Sequence, residues 1–147
     1  MSPKHNPIQT IWLADDDDDD RTLLQEALFE IAPDVKLVSF EDGYEILHQL
    51  RTSNALPDII LLDINMPRKN GFECLSDIKG NSELSSLTTI IWSTGVTPNH
   101  TEKAFNLGAR LYVKKPSGFN RLLEIAKVIV AGNFSTPFVN NKDFVIE

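Results

Sequence analysis

The run Ile59-Ile60-Leu61-Leu62 sets four apolar side chains in succession and ends on a single carboxylate, Asp63. A strand with one wet face alternates apolar and polar residues. An unbroken apolar run instead predicts a strand buried on both faces, the condition of a parallel sheet covered by helices on each side. In such sheets, reactive groups gather just beyond the carboxyl ends of the strands. Asp63 stands at that place, followed by Asn65, Met66-Pro67 and the turn-forming Arg68-Lys69-Asn70-Gly71.

The rest of the chain repeats the theme. Residues 8–14 predict a first strand that stops at six consecutive aspartates, Asp15 to Asp20. Leu24, Ala27, Leu28 and Ile31 then recur at helical spacing, with Asp19 or Asp20 expected to cap the helix and Ala32-Pro33-Asp34 to end it. Residues 35–40 and 58–63 read as the second and third strands. Between them Ile46, Leu47 and Leu50 mark one face of a helix. Phe72, Leu75 and Ile78 mark the third helix, closed by Gly80-Asn81. Residues 88–92 are rich in branched and aromatic side chains and predict the fourth strand. Thr97-Pro98 reads as an N-cap with proline at the first helical position. Gly108 ends that helix, and residues 109–113 predict the fifth strand. Ser117 is placed to cap a last helix with Leu122, Ile125, Ala126, Ile129 and Val130 facing inward. Five strands alternating with five helices define an α/β doubly wound parallel sheet. The division expected is a tail over residues 1–7, one domain over 8–131 and an extension over 132–147. Phe134, Phe138, Phe144, Val145 and Ile146 make the extension apolar enough to pack on the domain or on a second copy, with a partly ordered extension of no function an equal alternative, so monomer and homodimer both stay open.

Composition removes several functions. The 147 residues carry a formal net charge of -7, opposite to what nucleic-acid phosphates or an anionic membrane surface would require. Cys74 is the only cysteine, so no internal disulfide or thiolate metal cluster can form, and its place in a helical apolar pattern predicts a buried, inert thiol. No apolar stretch is long enough to span a bilayer, and the polar N-terminus has no signal core. These features predict a cytoplasmic protein. His5, His48 and His100 share no metal-ligand spacing and receive no catalytic role. Trp12 and Trp92 read as packing residues.

Placed side by side, the strands bring Asp15-Asp16, Asp63, Ser93-Thr94 and Lys114-Lys115-Pro116 to one edge. Close carboxylates repel unless a cation joins them. A hard dication such as Mg2+ takes oxygen ligands, so two carboxylates and a backbone carbonyl suffice to hold it. The same set suits phosphoryl transfer, with Asp63 as nucleophile and with Mg2+, the Lys115 ammonium and the Ser93 hydroxyl each meeting one phosphate oxygen. Lys114 and the remaining aspartates are expected to be solvated. The run Asp17 to Asp20 is also a candidate for deepening the negative potential that draws in Mg2+.

Four stretches together resemble the receiver domain of two-component response regulators, the CheY-like family. They are residues 11–17, residues 60–67 with Gly71, residues 91–95, and Tyr112-Val113-Lys114-Lys115-Pro116. The resemblance implies a five-stranded sheet of order 2-1-3-4-5, the topology to which CheY belongs. It implies that Asp63 accepts phosphate from a sensor histidine kinase or a histidine phosphotransfer protein. Asp16 would then ligate metal directly, Asp15 through water, and the Asn65 carbonyl as third protein ligand. Ser93 would follow the phosphate, Tyr112 would change rotamer, and Lys115 would bind a phosphate oxygen, with a cis Lys115–Pro116 bond. The effector bound through the surface of the fourth helix, fifth strand and fifth helix is not named by the sequence. With no output domain following, the chain looks like a single-domain regulator, closer to those associated with phytochromes than to the chemotaxis type. Such a protein is a signalling switch and no enzyme, acting only on its own phosphate. A haloacid-dehalogenase-type hydrolase would need an aspartate where Asn65 stands, and a flavin or nucleotide module would need a glycine-rich first turn where the aspartates stand.

Overall fold

The computed structural model describes residues 8–132 and 143–147. Among the described residues, six parallel strands form one sheet: β1 (Thr10–Ala14), β2 (Lys36–Phe40), β3 (Ile59–Asp63), β4 (Thr88–Ser93), β5 (Leu111–Lys114) and β6 (Val145–Ile146). Their order is β2-β1-β3-β4-β5-β6, so the expected 2-1-3-4-5 arrangement is present with a short sixth strand added at the β5 edge. The connecting helices are α1 (Asp18–Ile31), α2 (Gly43–Thr52), α3 (Gly71–Lys79), α4 (Pro98–Asn106) and α5 (Phe119–Ala131).

Alternation along the buried strands divides the core in two. Ile11, Leu13, Ile59, Leu61 and Ile90 point to the side where α1 supplies Leu24, Ala27 and Leu28, and α5 supplies Leu122, Ile125, Ala126 and Ile129. Trp12, Ala14, Ile60, Leu62 and Ile91 point to the other, packed by Ile46, Leu47 and Leu50 of α2, Phe72, Leu75 and Ile78 of α3, and Ala104 of α4. All five residues of β3 are buried, as its unbroken apolar run predicts. Both tryptophans lie in these cores. Cys74 is buried as expected, and burial pushes its thiol up to about 12, far from reactivity at neutral pH.

Several local expectations are corrected. The first helix is capped by Asp17, whose side chain accepts from the Asp20 N–H, rather than by Asp19 or Asp20. The last helix is entered through Gly118 with no side-chain cap bond, not through Ser117. Strand β1 starts at Thr10 because the Gln9 and Thr10 N–H groups turn to Asp58 Oδ2 at 2.8 and 3.0 Å. Strand β5 starts at Leu111 because Gly108 takes φ 95° and the Ala109 N–H closes back on Ala104 O. Thr97 caps α4 with Pro98 in its first turn, as expected.

Residues 143–147 account for part of the apolar extension. The Tyr112 N–H donates to Phe144 O at 3.0 Å, and Phe144, fully buried, meets the Phe105 ring of α4 edge-on at 5.3 Å. Phe134 and Phe138 lie outside the described residues. So does His5; His48 is exposed, and His100 packs on the Phe72 ring.

Candidate functional site

The parallel register delivers the strand ends to one crevice. Asp63 pairs across the ladder with Trp92, and Ser93, one residue further, pairs with Lys114. Ala14, the last residue of β1, pairs with Leu62, which puts Asp15 beside Asp63. Asp15, Asp16 and Asp63 each present a carboxylate oxygen within 4.8 Å of the others. Asp15 and Asp63 are buried; Asp16 is exposed.

One ammonium answers this charge. Lys115 Nζ is hydrogen-bonded to Asp20 Oδ2 at 2.7 Å and Asp63 Oδ2 at 3.1 Å, and stands in ion-pair contact with Asp15 Oδ2 at 2.8 Å. Burial pushes the Asp15 carboxyl up from 3.8 to about 6, against the pull of Lys115. Burial would lower the Lys115 ammonium, but Asp15 and Asp20 outweigh it and hold its pKa above the ordinary range. The site is thus over-supplied with negative charge, and its ionised form is disfavoured as it stands. Three convergent hard oxygens with one half-open side fit a divalent cation of the Mg2+ or Mn2+ kind.

The loops that carry these groups are tied down. The Asp17 N–H donates to Asp15 Oδ1 at 3.0 Å and the Asn65 N–H to Asp63 Oδ1 at 3.1 Å. The Gly71 N–H closes the β3–α3 loop on Ile64 O, and a Cβ at Gly71 would lie 2.4 Å from Asp63 O. Asn70 and Glu73 form a reciprocal capping box at the start of α3. Arg68, at φ 67°, pairs with Asp42, the cap of α2. Ser93 is buried; its Oγ accepts from the Gly95 N–H at 3.3 Å. The Tyr112 side chain is fully buried beside Ser93 and donates its hydroxyl to Gly95 O at 2.6 Å. Burial, opposed by the nearby Ser93 hydroxyl, pushes its phenol up.

Every site residue expected from the sequence is therefore at or next to the crevice, and Lys114, expected in solvent, is exposed. The Lys115–Pro116 bond is trans, since no described peptide bond is cis. An X-Pro amide makes cis cheap without making it preferred; trans is still favoured by about 0.5–1 kcal/mol. The Lys115 N–H meanwhile bonds Ser93 O at 2.6 Å. Two participants were not foreseen. Asp20 was expected as a cap or in solvent, yet reaches Lys115. Arg21 crosses beneath the aspartates to Asp15 O at 2.6 Å and pairs with Asp18. The signal for both was that α1 begins directly after β1, which turns its first turn toward the strand ends.

A family model of the response regulator receiver domain matches residues 11–127. The chain belongs to the response regulator receiver domain family, the receivers of two-component signalling. It is 28% identical over 134 residues to response regulator Rcp1 of Synechocystis sp., covering 88% of this chain and 91% of that one. It is 28% identical over 125 residues to sensor histidine kinase CheAY of Helicobacter pylori, but spans only 15% of that protein. Among solved structures, the phosphorylated cyanobacterial phytochrome response regulator RcpA matches with TM-score 0.79 and 30% identity, covering 89% of this chain and 97% of that one. The Mn(2+)-bound form of Rcp1 matches with TM-score 0.76 and 26% identity, covering 90% of this chain and 99% of that one. The likeness to phytochrome-associated regulators expected from the sequence is borne out. No helix among the described residues is long and apolar enough to cross a membrane.

Proposed function

We propose that Asp63 accepts a phosphoryl group from a histidine kinase or a histidine phosphotransfer protein. The observation that carries this is the Lys115 ammonium held on Asp63, itself one of three carboxylates that lie within 4.8 Å of one another. An Asp63 carboxylate oxygen forms the new O–P bond as the P–N bond of the donor phosphohistidine breaks; the imidazole leaves with the electron pair and takes up a proton. Lys115 neutralises charge on one equatorial oxygen and the Ser93 hydroxyl is placed to donate to another. Asp15, Asp16, Asp63 and the Asn65 carbonyl are the residues that would hold Mg2+, which supplies charge neutralisation of the phosphoryl oxygens. The Mn(2+)-bound Rcp1 relative supports a divalent ion here. The protein changes itself once per event rather than turning over substrate.

The dianion at Asp63 draws Ser93 toward it, and Tyr112, linked to Ser93 through Gly95, follows. The surface of α4, β5 and α5 is then biased toward a partner by a local charge change. Residues 8–131 form the switching domain, and residues 143–147 are a strap that rests on β5 and α4 of that same surface. The cytoplasm is the compartment that supplies such kinases. Incubation with acetyl phosphate and Mg2+, followed by intact mass, tests the proposal. Wild type gains one phosphoryl group and Asp63→Asn gains none; an unmodified wild type, alone and with a cognate kinase, overturns it.

A further inference from the structure

Lys115 faces one more carboxylate than the metal cluster accounts for. Its Nζ touches Asp15, Asp20 and Asp63, but the set able to share one cation is Asp15, Asp16 and Asp63. A dication held by that set would compete with the ammonium for Asp15 and Asp63, whereas Asp20 lies outside the set. Asp20 is not the helix cap, a task Asp17 performs. Nor is it a free surface acid: its side chain is 29% exposed, against 87% for Asp18 in the same turn.

Asp20 can act on Lys115 in two ways, by holding it in place or by competing for its charge. The Lys115 side chain is only 7% exposed, and its main-chain N–H is bonded to Ser93 O. Packing has already removed most of its rotamer freedom, so a further anchor adds little. The charge effect remains: a carboxylate one ammonium away from the incoming phosphoryl oxygens repels them and shares the cation they need. We propose that Asp20 is an internal competitor for Lys115, a built-in brake on how readily Asp63 accepts and keeps a phosphoryl group. This rests on the phospho-acceptor reading of Asp63. Asp20 forms no bond in the transfer. The Asp63 O–P bond forms while the donor's bond to phosphorus breaks, its electron pair leaving with the donor, and Asp20 alters only the charge that this dianion meets.

Trifluoroberyllate, a non-covalent stand-in for the phosphoryl group, is the probe. Its binding is titrated by fluorine NMR at saturating Mg2+ in wild type, Asp20→Asn, Asp20→Ala and Asp19→Asn. Asp19→Asn removes the same charge from the same turn without touching Lys115. Both Asp20 variants are expected to bind roughly three- to thirtyfold tighter, and to take phosphoryl from acetyl phosphate faster by a similar factor, the gain shrinking in high salt. Asp19→Asn is expected to stay within about twofold of wild type. Without metal, the Lys115 ammonium nitrogen resonance shifts in Asp20→Asn and not in Asp19→Asn. Circular dichroism establishes that each variant is folded. Equal or weaker binding by both Asp20 variants overturns the brake, and so does an equal gain in Asp19→Asn. A wild type that neither binds trifluoroberyllate nor takes phosphoryl removes the Asp63 reading itself, a result distinct from the other two.

Discussion

Replacing Asp15 by asparagine is expected to stabilise the metal-free protein at neutral pH. The Asp15 carboxyl titrates near 6 in the folded chain, against an ordinary 3.8, because it is buried. A group whose folded pKa is raised binds its proton more tightly in the native state. Its contribution is therefore fully present below about pH 4 and is lost as pH rises through about 6. A rise of this size corresponds to about 3 kcal/mol, at about 1.4 kcal/mol per unit. Asparagine avoids the buried charge and keeps an oxygen for the Asp17 N–H, but weakens the contact with Lys115. That ammonium retains Asp20 and Asp63. The net gain is expected to be about 1–2 kcal/mol at pH 7.5, fading to nothing near pH 4. Urea unfolding in the presence of a chelator, followed by fluorescence of the buried Trp12 and Trp92, measures it at both pH values. Adding Mg2+ should stabilise wild type more than the variant and narrow or reverse the order. A variant less stable than wild type at pH 7.5 without metal, or a difference independent of pH, would refute the burial argument.

Three further outcomes follow from other contacts. Asp42→Ala removes the cap of α2 and the partner of Arg68, and is expected to lower stability by about 1–2 kcal/mol in the same urea assay. Burial alone would raise the Asp42 carboxyl, but the Glu45 N–H and Arg68 hold it below its ordinary value. This contribution is therefore present above about pH 4 and is lost as the pH falls through the lowered pKa. Phe144→Ala empties the seat beside Phe105, a loss of about 3–5 kcal/mol for a core aromatic. Here it is limited by the free energy that holds residues 143–147 on the sheet, so hydrogen exchange at the Tyr112 amide should accelerate more than global unfolding does. Gly71→Ala has no room beside Asp63 O and is expected to cost about 1–3 kcal/mol by pushing α3 from the end of β3, read as a lower urea midpoint.

The sheet and its site were legible because burial on both faces writes itself as apolar runs, and each run ends where the chemistry begins. Ile59 to Leu62 with Asp63, and Thr88 to Trp92 with Ser93, needed no tertiary information. The six aspartates were not legible one by one. Identical side chains carry no local preference among themselves, and the helix start that makes Asp17 a cap and turns Asp20 to Lys115 depends on where β1 stops. Gly118 rather than Ser117 opens α5 for a similar reason, since the path of the chain from β5 decides the entry. Strand β6 has two residues and is held by tertiary contacts: the Tyr112–Phe144 bond, the packing of Phe144, and the Arg121 bonds to Glu147 O. A two-residue apolar pair has no periodicity to read. The trans Lys115–Pro116 bond was mistaken because the expectation came from the family resemblance and not from these residues.

The central claim is that phosphate resides on the Asp63 carboxylate. After reaction with acetyl phosphate and Mg2+, borohydride reduces an aspartyl phosphate to homoserine, and peptide mass spectrometry locates the reduced residue. The account predicts homoserine at position 63 in wild type and none in Asp63→Asn. Reduction at another aspartate, or phosphate retained on a histidine or serine with position 63 intact, would contradict it.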